Sequence, residues 1–240
     1  LAGLLRRSAV APFIDSPTQD ANYRYVVTAL DQVGNESGAS NEVAIVFDKA
    51  APVVTYSGFV DGGFFNTNVF PAFNVADGNL DTGSIRAQLN GLAFIAGSTV
   101  SAEGGHVLTV TASDVEAHTS TTTATFTIDK TAPQIAFSVA QGASLISTTG
   151  VSVNVLVSDL TPGASSFILA NQLLGTSAPY RSGEPISRNG DYILSASAQD
   201  LAGNVSSVTL SFHLQTAPIA PTDLSVTVQG SARLSWTKPE

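Results

Sequence analysis

A strand-ending motif that occurs three times constrains the fold of this chain more than any other feature of its sequence. At residues 126–133 an apolar, β-branched run ends in Asp-Lys-Thr-Ala-Pro. A near copy ends at Pro52, and a weaker copy ends at Pro218. Proline has no N–H for a β-ladder and holds the residue before it extended, so each copy is typical of a last strand, a short linker and the next module's first strand. The repetition therefore predicts a tandem array of β modules.

One long hairpin is repeated along this array. Its first strand lies at residues 22–31, 105–114 and 191–200, and each copy ends on an aspartate. Apolar residues occupy alternate positions, which is typical of an antiparallel strand with one buried face. The pair Asn90 and Gly91 is the strongest short hairpin signal in the chain. With roughly seven short strands in about 80 residues and no helical period, the pattern predicts an all-β fold of β-sandwiches.

Most of the chain resembles known extracellular modules. Residues 48–214 resemble two tandem bacterial Ig-like domains of large secreted surface proteins, through an Ala-x-Asp-x-x-Gly-Asn turn and a strand that ends in Ile-Asp-Lys-Thr-Ala-Pro. Residues 11–46 resemble the back half of a fibronectin type III domain, and residues 218–240 resemble the front half of another. The motifs that carry the fibronectin resemblance are residues 13–16, 23–31, 34–37, 220–224 and 233–236.

The resemblance implies tandem Ig-like β-sandwiches in an extended array, with four modules at residues 1–47, 48–128, 129–215 and 216–240. It also implies that Trp236, the lone tryptophan, packs in a core. One turn departs from the shared pattern, because residues 114–118 lack the Gly-Asn pair. We therefore expect a different backbone geometry in that turn.

Both terminal modules in this division are half-modules. Half a sandwich leaves an apolar face and open strand edges exposed, which soluble proteins rarely tolerate. One explanation is that the chain is cut from a longer polypeptide. The other is that residues 218–240 pair with the back half of another copy, which would build a head-to-tail filament by strand complementation.

The composition narrows the range of partners. Charged residues make up 12% of the chain, against roughly 25% in an ordinary globular protein. The net charge is −9 and no basic cluster occurs, which disfavours nucleic acids and anionic membranes as partners. No apolar run reaches the roughly 18 residues of a membrane span. The chain has no cysteine, which excludes disulfides, thiol chemistry and Cys-ligated zinc. Because Ser, Thr, Asn and Gly must cover the surface, we expect an extracellular or cell-surface protein without membrane insertion.

Recurring aspartates are the candidate metal ligands. The candidates for calcium are Asp31, Asp114, Asp200, Asp48 and Asp129, with the turn acids Asp77, Asp81 and Asp159 as contributors near the junctions. Calcium takes about six to eight oxygen ligands, which loop carboxylates and backbone carbonyls supply. The alternative is that each aspartate accepts hydrogen bonds from the N–H groups of its own turn. Lys49 and Lys130 directly follow the linker acids and would oppose a cation there.

No catalytic pattern stands out in the sequence. His106 takes a position that Tyr23 and Tyr192 fill in the other copies, which predicts that it packs or caps. The scatter of the three histidines disfavours a shared metal site. No Gly-x-Ser-x-Gly elbow is present. We expect no catalytic residue, no cofactor apart from calcium, and no enzymatic activity.

Residues 58–70 form the best candidate for a contact surface. The strand register places Phe70 outward, and Phe64 has no counterpart in the next copy. An outward phenylalanine either covers a neighbouring loop or module, or binds a partner or a glycan.

These features predict a rod-like spacer segment of a secreted array, with a structural or adhesive role that presents or links other domains. Linkers with so little slack restrict hinge motion between modules. One alternative is a subunit of an extracellular filament or sheath, and another is an accessory carbohydrate-binding region of a secreted hydrolase. The expected partners are other protein modules or copies of the chain itself, with glycans as a further candidate.

Overall fold

The computed structural model describes residues 12–217, 222–228 and 231–237. These residues form twenty β-strands and no helix, which confirms the predicted all-β class. None of them belongs to a helix that could cross a membrane. Parts of the predicted terminal modules, at residues 1–11, 218–221, 229–230 and 238–240, lie outside the described residues. Pro218, Ala220 and Pro221 of the sequence motifs are among them.

Contacts between residues divide the chain into two compact units. Within the described residues, the first unit comprises residues 12–62, 69–100 and 106–126. The second unit comprises residues 63–68, residues 101–105 and the described chain from residue 127 onward. The finer division into four modules stays a prediction.

The part of the chain up to residue 128 forms three sheets. Its strands are β1 (Ala21–Tyr25), β2 (Val43–Phe47), β3 (Val53–Ser57), β4 (Gly63–Phe65), β5 (Ala72–Ala76), β6 (Leu80–Leu89), β7 (Leu92–Ala93), β8 (Gly104–Asp114) and β9 (Thr119–Ile128). β1 pairs with β2, and β3 pairs with β5. The third sheet has five strands in the order β4-β9-β8-β6-β7.

The part after residue 128 repeats this arrangement with more breaks. Its strands are β10 (Gln134–Phe137), β11 (Ala143–Ser147), β12 (Val151–Ser152), β13 (Val155–Ser158), β14 (Ala164–Asn171), β15 (Thr176–Pro179), β16 (Pro185–Ile186), β17 (Gly190–Gln199), β18 (Val205–Thr216), β19 (Thr222–Val228) and β20 (Ala232–Thr237). A five-stranded sheet has the order β11-β18-β17-β14-β15. β10 pairs with β13, β12 with β16, and β19 with β20.

The long strands have the alternating burial that their sequences predict. On β8, Leu108, Val110 and Ala112 are fully buried, whereas the residues between them are partly exposed. β17 has the same pattern, with Leu194 and Ala196 buried. Because alternate side chains of a strand point to opposite faces, each strand gives one face to the core.

The core of the second unit lies between the five-stranded sheet and the short strands that face it. Its buried residues are Val153, Tyr180, Ile186, Tyr192, Leu194, Leu210, Phe212 and Leu214. The long strands β17 and β18 supply five of these eight residues, and Ile186 comes from β16. The second unit therefore contains an Ig-like β-sandwich, as the sequence predicts.

The predicted tight hairpin turn is confirmed between β6 and β7. Asn90 has a φ of 52° and Gly91 a φ of 81°. A two-residue type I′ turn needs positive φ at both positions, which asparagine and glycine adopt more readily than other residues.

The β19–β20 hairpin contradicts the expectation that Trp236 is buried. Every described residue of its two strands is exposed, and Trp236 is 57% exposed. One face of this hairpin is apolar, since Val226 lies opposite Leu234 in the register. Trp236 was expected in a core because two sheets cover each other in a complete sandwich, and none of the described residues covers this face.

The backbone at Gly58 lies very close to the backbone at Phe70 in the first unit, and substitution of Gly58 tests this approach. A Cβ added at Gly58, where φ is +83°, would lie 2.1 Å from the carbonyl oxygen of Phe70. Gly62 also has a positive φ, +72°, but nothing lies within 4 Å of an added Cβ. We expect Gly62→Ala to cost about 1 kcal/mol of unfolding free energy from backbone strain alone. Gly58→Ala should cost roughly 1 to 3 kcal/mol more, because the backbone must move apart.

Urea denaturation of the two variants and the parent measures these costs. Equal losses for the two substitutions would contradict the close approach at Gly58.

Candidate functional site

Two of the repeated hairpins close with the same network of hydrogen bonds. Asp31 Oδ1 accepts the Asn35 N–H at 2.8 Å, and Asn35 Nδ2 donates to Asp31 Oδ2 at 2.7 Å. The same two bonds join Asn204 to Asp200, at 2.7 and 2.6 Å. In both turns the aspartate N–H donates to the asparagine carbonyl at 3.0 Å. This is the local role that the sequence left open as the alternative to calcium binding.

The third turn, at residues 114–118, has the same geometry, so the expectation of a different backbone there is wrong. The His118 N–H donates to Asp114 Oδ1 at 2.8 Å, and His118 Nδ1 donates to Asp114 Oδ2 at 2.6 Å. Histidine can take the place of asparagine in this turn, because His Nδ1 and Asn Nδ2 are both bonded to Cγ and lie at a similar distance from the backbone. Ala117 adopts a φ of 70° where the other turns have glycine, at a cost of roughly 1 to 2 kcal/mol.

These bonds move the pKa values of the groups that make them. The side-chain hydrogen bond from Asn35 is the largest cause that lowers the pKa of Asp31. Burial acts to raise the pKa of Asp114, but the hydrogen bonds from the side chain and backbone of His118 outweigh it and lower the pKa. The bond to Asp114 raises the pKa of His118 against the opposing effect of burial.

Three aspartates of the second unit come together and form the candidate cation site. One carboxylate oxygen each from Asp129, Asp159 and Asp200 lies within 4.8 Å of the others. Asp129 and Asp200 are buried, and Asp159 is half-buried. Thr161 joins two of them, since its hydroxyl donates to Asp129 Oδ2 at 2.5 Å and its N–H donates to Asp159 Oδ1 at 2.8 Å.

Gly163 lets the Asp159 loop approach the end of β17. A Cβ at this position would lie 2.3 Å from the Gln199 carbonyl oxygen, so only glycine permits the approach without movement of the backbone. The Leu201 N–H donates to the Thr161 carbonyl at 2.9 Å and fixes the loop there. The loop and the hairpin turn thus bring Asp159 and Asp200 together.

The cluster of like charges is electrostatically unfavourable by itself. Burial is the largest cause that raises the pKa of Asp159, and the charges of Asp129 and Asp200 raise it further. Three carboxylates and a hydroxyl are hard oxygen donors of the kind that calcium prefers. Asp129, Asp159 and Asp200 are therefore the residues that could hold a cation, and calcium binding stays a prediction.

The other predicted ligands are not brought into such a group within the described part of the chain. Asp31 and Asp114 are engaged by their own turns. Asp48 Oδ1 accepts the Ala50 N–H at 2.9 Å. The Lys130 ammonium group donates hydrogen bonds to Asn68 Oδ1 at 2.6 Å and to the Ser101 carbonyl at 2.8 Å. This is the lysine that the sequence predicts would oppose a cation.

His106 packs and bonds as its alignment with tyrosines predicts. Its ring stacks on Phe126 with centroids 5.0 Å apart, and its Nδ1 lies 3.2 Å from Asn90 Nδ2. His106 therefore supports the core of the first unit next to the β6–β7 turn.

The predicted contact residues Phe64 and Phe70 are both exposed, but they belong to different compact units. Their role in partner binding stays a prediction. In the second unit, a groove of about 370 Å³ is lined by residues that include Leu169, Tyr180 and Tyr192. The Tyr180 hydroxyl is already bonded to the Val153 carbonyl at 2.9 Å, so this buried polar group serves the fold.

No protein-family model and no curated protein sequence matches the chain. Among solved structures, the fibronectin(III)-like modules of Clostridium thermocellum CbhA match at 12% identity over 68% of this chain and 95% of theirs, with a TM-score of 0.32. Cadherin domains 3–6 of protocadherin gamma B2 match at 16% identity over 87% of this chain and 60% of theirs, with a TM-score of 0.36. Immunoglobulin domains 1–5 of sidekick-1 match at 13% identity over 90% and 52%, with a TM-score of 0.40. The likenesses are weak, and no function follows from them.

Asp159→Asn distinguishes a cation site from a crowded group of acids. The raised pKa of Asp159 means that the folded state loses stability as the pH rises from about 4 through that pKa. In a chelator at neutral pH, the substitution should therefore raise the unfolding free energy by up to about 1 kcal/mol, and the gain should vanish in acid, where Asp159 is protonated. If calcium binds, it raises the melting temperature of the parent, and the variant loses that shift.

Asp81→Asn is the matched control, because Asp81 Oδ1 also accepts a turn N–H, from Gly83 at 2.9 Å, outside the cluster. It should leave both readouts unchanged. A parent whose melting temperature does not respond to calcium would remove the metal hypothesis.

Proposed function

We propose that this chain is a structural and adhesive spacer of a large extracellular repeat protein, which presents or links other domains. The observation that carries this proposal is the dense hydrogen bonding of the linker motif at Asp129, Lys130 and Thr131. A spacer needs a defined step between modules, and a linker with few free torsions provides it.

The linker is held on both sides along its length, within the second unit. The Asp129 N–H donates to the Phe65 carbonyl at 2.9 Å, and Asn204 Nδ2 donates to the Asp129 carbonyl at 2.8 Å. The Lys130 N–H donates to Glu103 at 2.6 Å, and the Thr131 hydroxyl donates to the same carboxylate at 3.1 Å. Backbone that is fixed by several independent bonds loses little further entropy under tension.

Composition and fold are consistent with an extracellular setting. The all-β modules, the scarcity of charge and the Ser- and Thr-rich surfaces are common in secreted repeat proteins, although sandwiches of this kind serve many roles. The proposed partners are neighbouring protein modules and copies of the chain, with glycans as a further candidate.

Two spin labels, one before and one after the linker in the chain, test whether the linker is stiff. The chain has no native cysteine, so Thr82→Cys in the first unit and Ser207→Cys in the second, both exposed, provide two unique label sites. We expect a narrow distribution of label distances in the parent. Lys130→Ala combined with Glu103→Ala should broaden it, because the side-chain bonds that hold the linker are lost.

Lys49→Ala is the control for removal of a lysine charge, since the Lys49 ammonium group lies over the Phe47 ring at 5.2 Å, outside this network. It should leave the distribution narrow. A broad distribution in the parent would contradict the spacer proposal.

A filament subunit is a second candidate, and the exposed faces of two hairpins favour it. On β19–β20, Val226 and Leu234 are opposite each other and more than half exposed. On β1–β2, Tyr23 lies opposite Ile45, and Ile45 is 42% exposed. In a head-to-tail assembly, the front hairpin of one copy would cover the back hairpin of the next.

Mixing two blocked variants tests this assembly. If it forms, the parent associates with rising concentration, whereas Ile45→Asp and Leu234→Asp each stop growth at one end. The two variants mixed should then form one-to-one dimers, because each retains one intact face.

Ser235→Asp is the control, since Ser235 lies on the polar face and its hydroxyl is 2.7 Å from that of Ser225. It should assemble like the parent. Sedimentation that finds only monomers of the parent at high concentration would eliminate the filament and leave the spacer proposal intact.

A further inference from the structure

The three aspartate turns differ in one chemical respect. Two of them close on an asparagine amide, which does not titrate, and the turn at residues 114–118 closes on an imidazole. The hydrogen-bond lengths are nearly the same in all three turns. The imidazole alone changes its charge between about pH 5 and pH 8.

His118 is placed among carboxylates from several segments of the first unit. Its partner Asp114 ends β8 and has a fully buried side chain, whereas the His118 side chain is 37% exposed. Glu116 lies in the same turn, and Asp48 acts on His118 from the segment before β3. The neighbouring groups that raise its pKa, Asp114, Glu116 and Asp48, are all carboxylates. A positive charge at His118 is therefore favoured by these three carboxylates, and a neutral imidazole loses the attractions.

The turn is also connected to the loop between β5 and β6. The Val115 N–H donates to the Asn79 carbonyl at 3.2 Å, and Asn79 Nδ2 donates to Glu116 Oε2. The Asn79 N–H in turn donates to Asp77 Oδ1 at 3.0 Å, so Asp77 is the carboxylate of that loop. Two hydrogen bonds therefore join the turn to Asn79 of this loop.

We propose that the His118–Asp114 pair makes the β8–β9 turn a pH-sensitive latch, which is tightest when the imidazole is protonated. The turns at Asp31 and Asp200 have the same backbone closure without a titrating group and hold at any pH near neutral. Above the pKa of His118 the neutral imidazole still donates a hydrogen bond to the Asp114 carboxylate, but the ion pair is lost. Residues 114–118 and 77–79 then open more often.

The shifts in the pKa values of His118 and Asp114 set the pH range in which the latch contributes to stability. The pKa of His118 is raised, so its contribution to stability is complete below its ordinary value of 6.5 and is lost as the pH rises through the raised value. The pKa of Asp114 is lowered from 3.8, so its contribution is lost only in acid. The latch is strongest between these two limits.

Exchanging histidine and asparagine between the turns at residues 114–118 and 31–35 tests the proposal. Hydrogen exchange, corrected for the intrinsic pH dependence of amide exchange, should increase several-fold in residues 114–118 of the parent between about pH 6 and pH 9. His118→Asn should abolish this increase and leave a folded turn like the one at Asp200. Asn35→His should install a similar increase in residues 31–35, where the turn has the same closure and lies outside the acid cluster.

His213→Asn is the matched control, because His213 Nδ1 also lies 2.7 Å from a carboxylate, that of Asp191, but far along the chain from this turn. It should not alter the profile of residues 114–118. A parent and a His118→Asn variant with the same pH profile would overturn the latch. A folded Asn35→His variant without pH dependence in residues 31–35 would also overturn it, since the imidazole alone would then not suffice.

Discussion

The hydrogen bonds that an aspartate carboxylate accepts in each hairpin turn are the interaction on which the rest of the structure depends. Its two oxygens accept one backbone N–H and one side-chain N–H from the residue four positions later, in all three copies. This closure fixes the register of β8 with β9 and of β17 with β18. A slip of one residue would turn the apolar face of each strand toward solvent, so the register decides whether Leu108 and Leu194 are buried.

In the second unit the turn carboxylate, that of Asp200, also belongs to the cluster of three aspartates. Asp200 keeps its turn bonds to Asn204, yet Gly163 allows the loop of Asp159 to approach it, and Asp129 completes the group. The turn therefore holds one acid firmly while two others approach it. A group assembled in this way gains from a bound cation or from a proton, because either one relieves the repulsion. Structural and binding roles of Asp200 are thus compatible.

Local patterns in the sequence were sufficient for the parts of the fold that neighbours along the chain determine. Alternation gave the faces of β8 and β17, and the pair Asn90 and Gly91 gave its turn. Asp159 joins Asp129 and Asp200 only through a close approach of distant segments, which a local pattern does not contain. The parallel pairing of β11 with β18 is long-range in the same sense. The missing glycine did not predict the geometry of the turn at His118, because Ala117 adopts the strained φ in its place.

The two copies of the linker motif that lie wholly within the described residues are held by the same kinds of bond, which connects the fold to the proposed role. Asp48 Oδ1 accepts the N–H two residues later at 2.9 Å, and Asp129 Oδ1 does the same at 3.1 Å. The N–H of the following lysine donates to an acid in each case, Asp20 at 3.0 Å and Glu103 at 2.6 Å. A linker whose backbone donors are satisfied in the same way at each copy leaves the same few torsions free. The spacer proposal requires repetition of the motif to give repetition of the step, since a regular step is what distinguishes a spacer from a flexible tether.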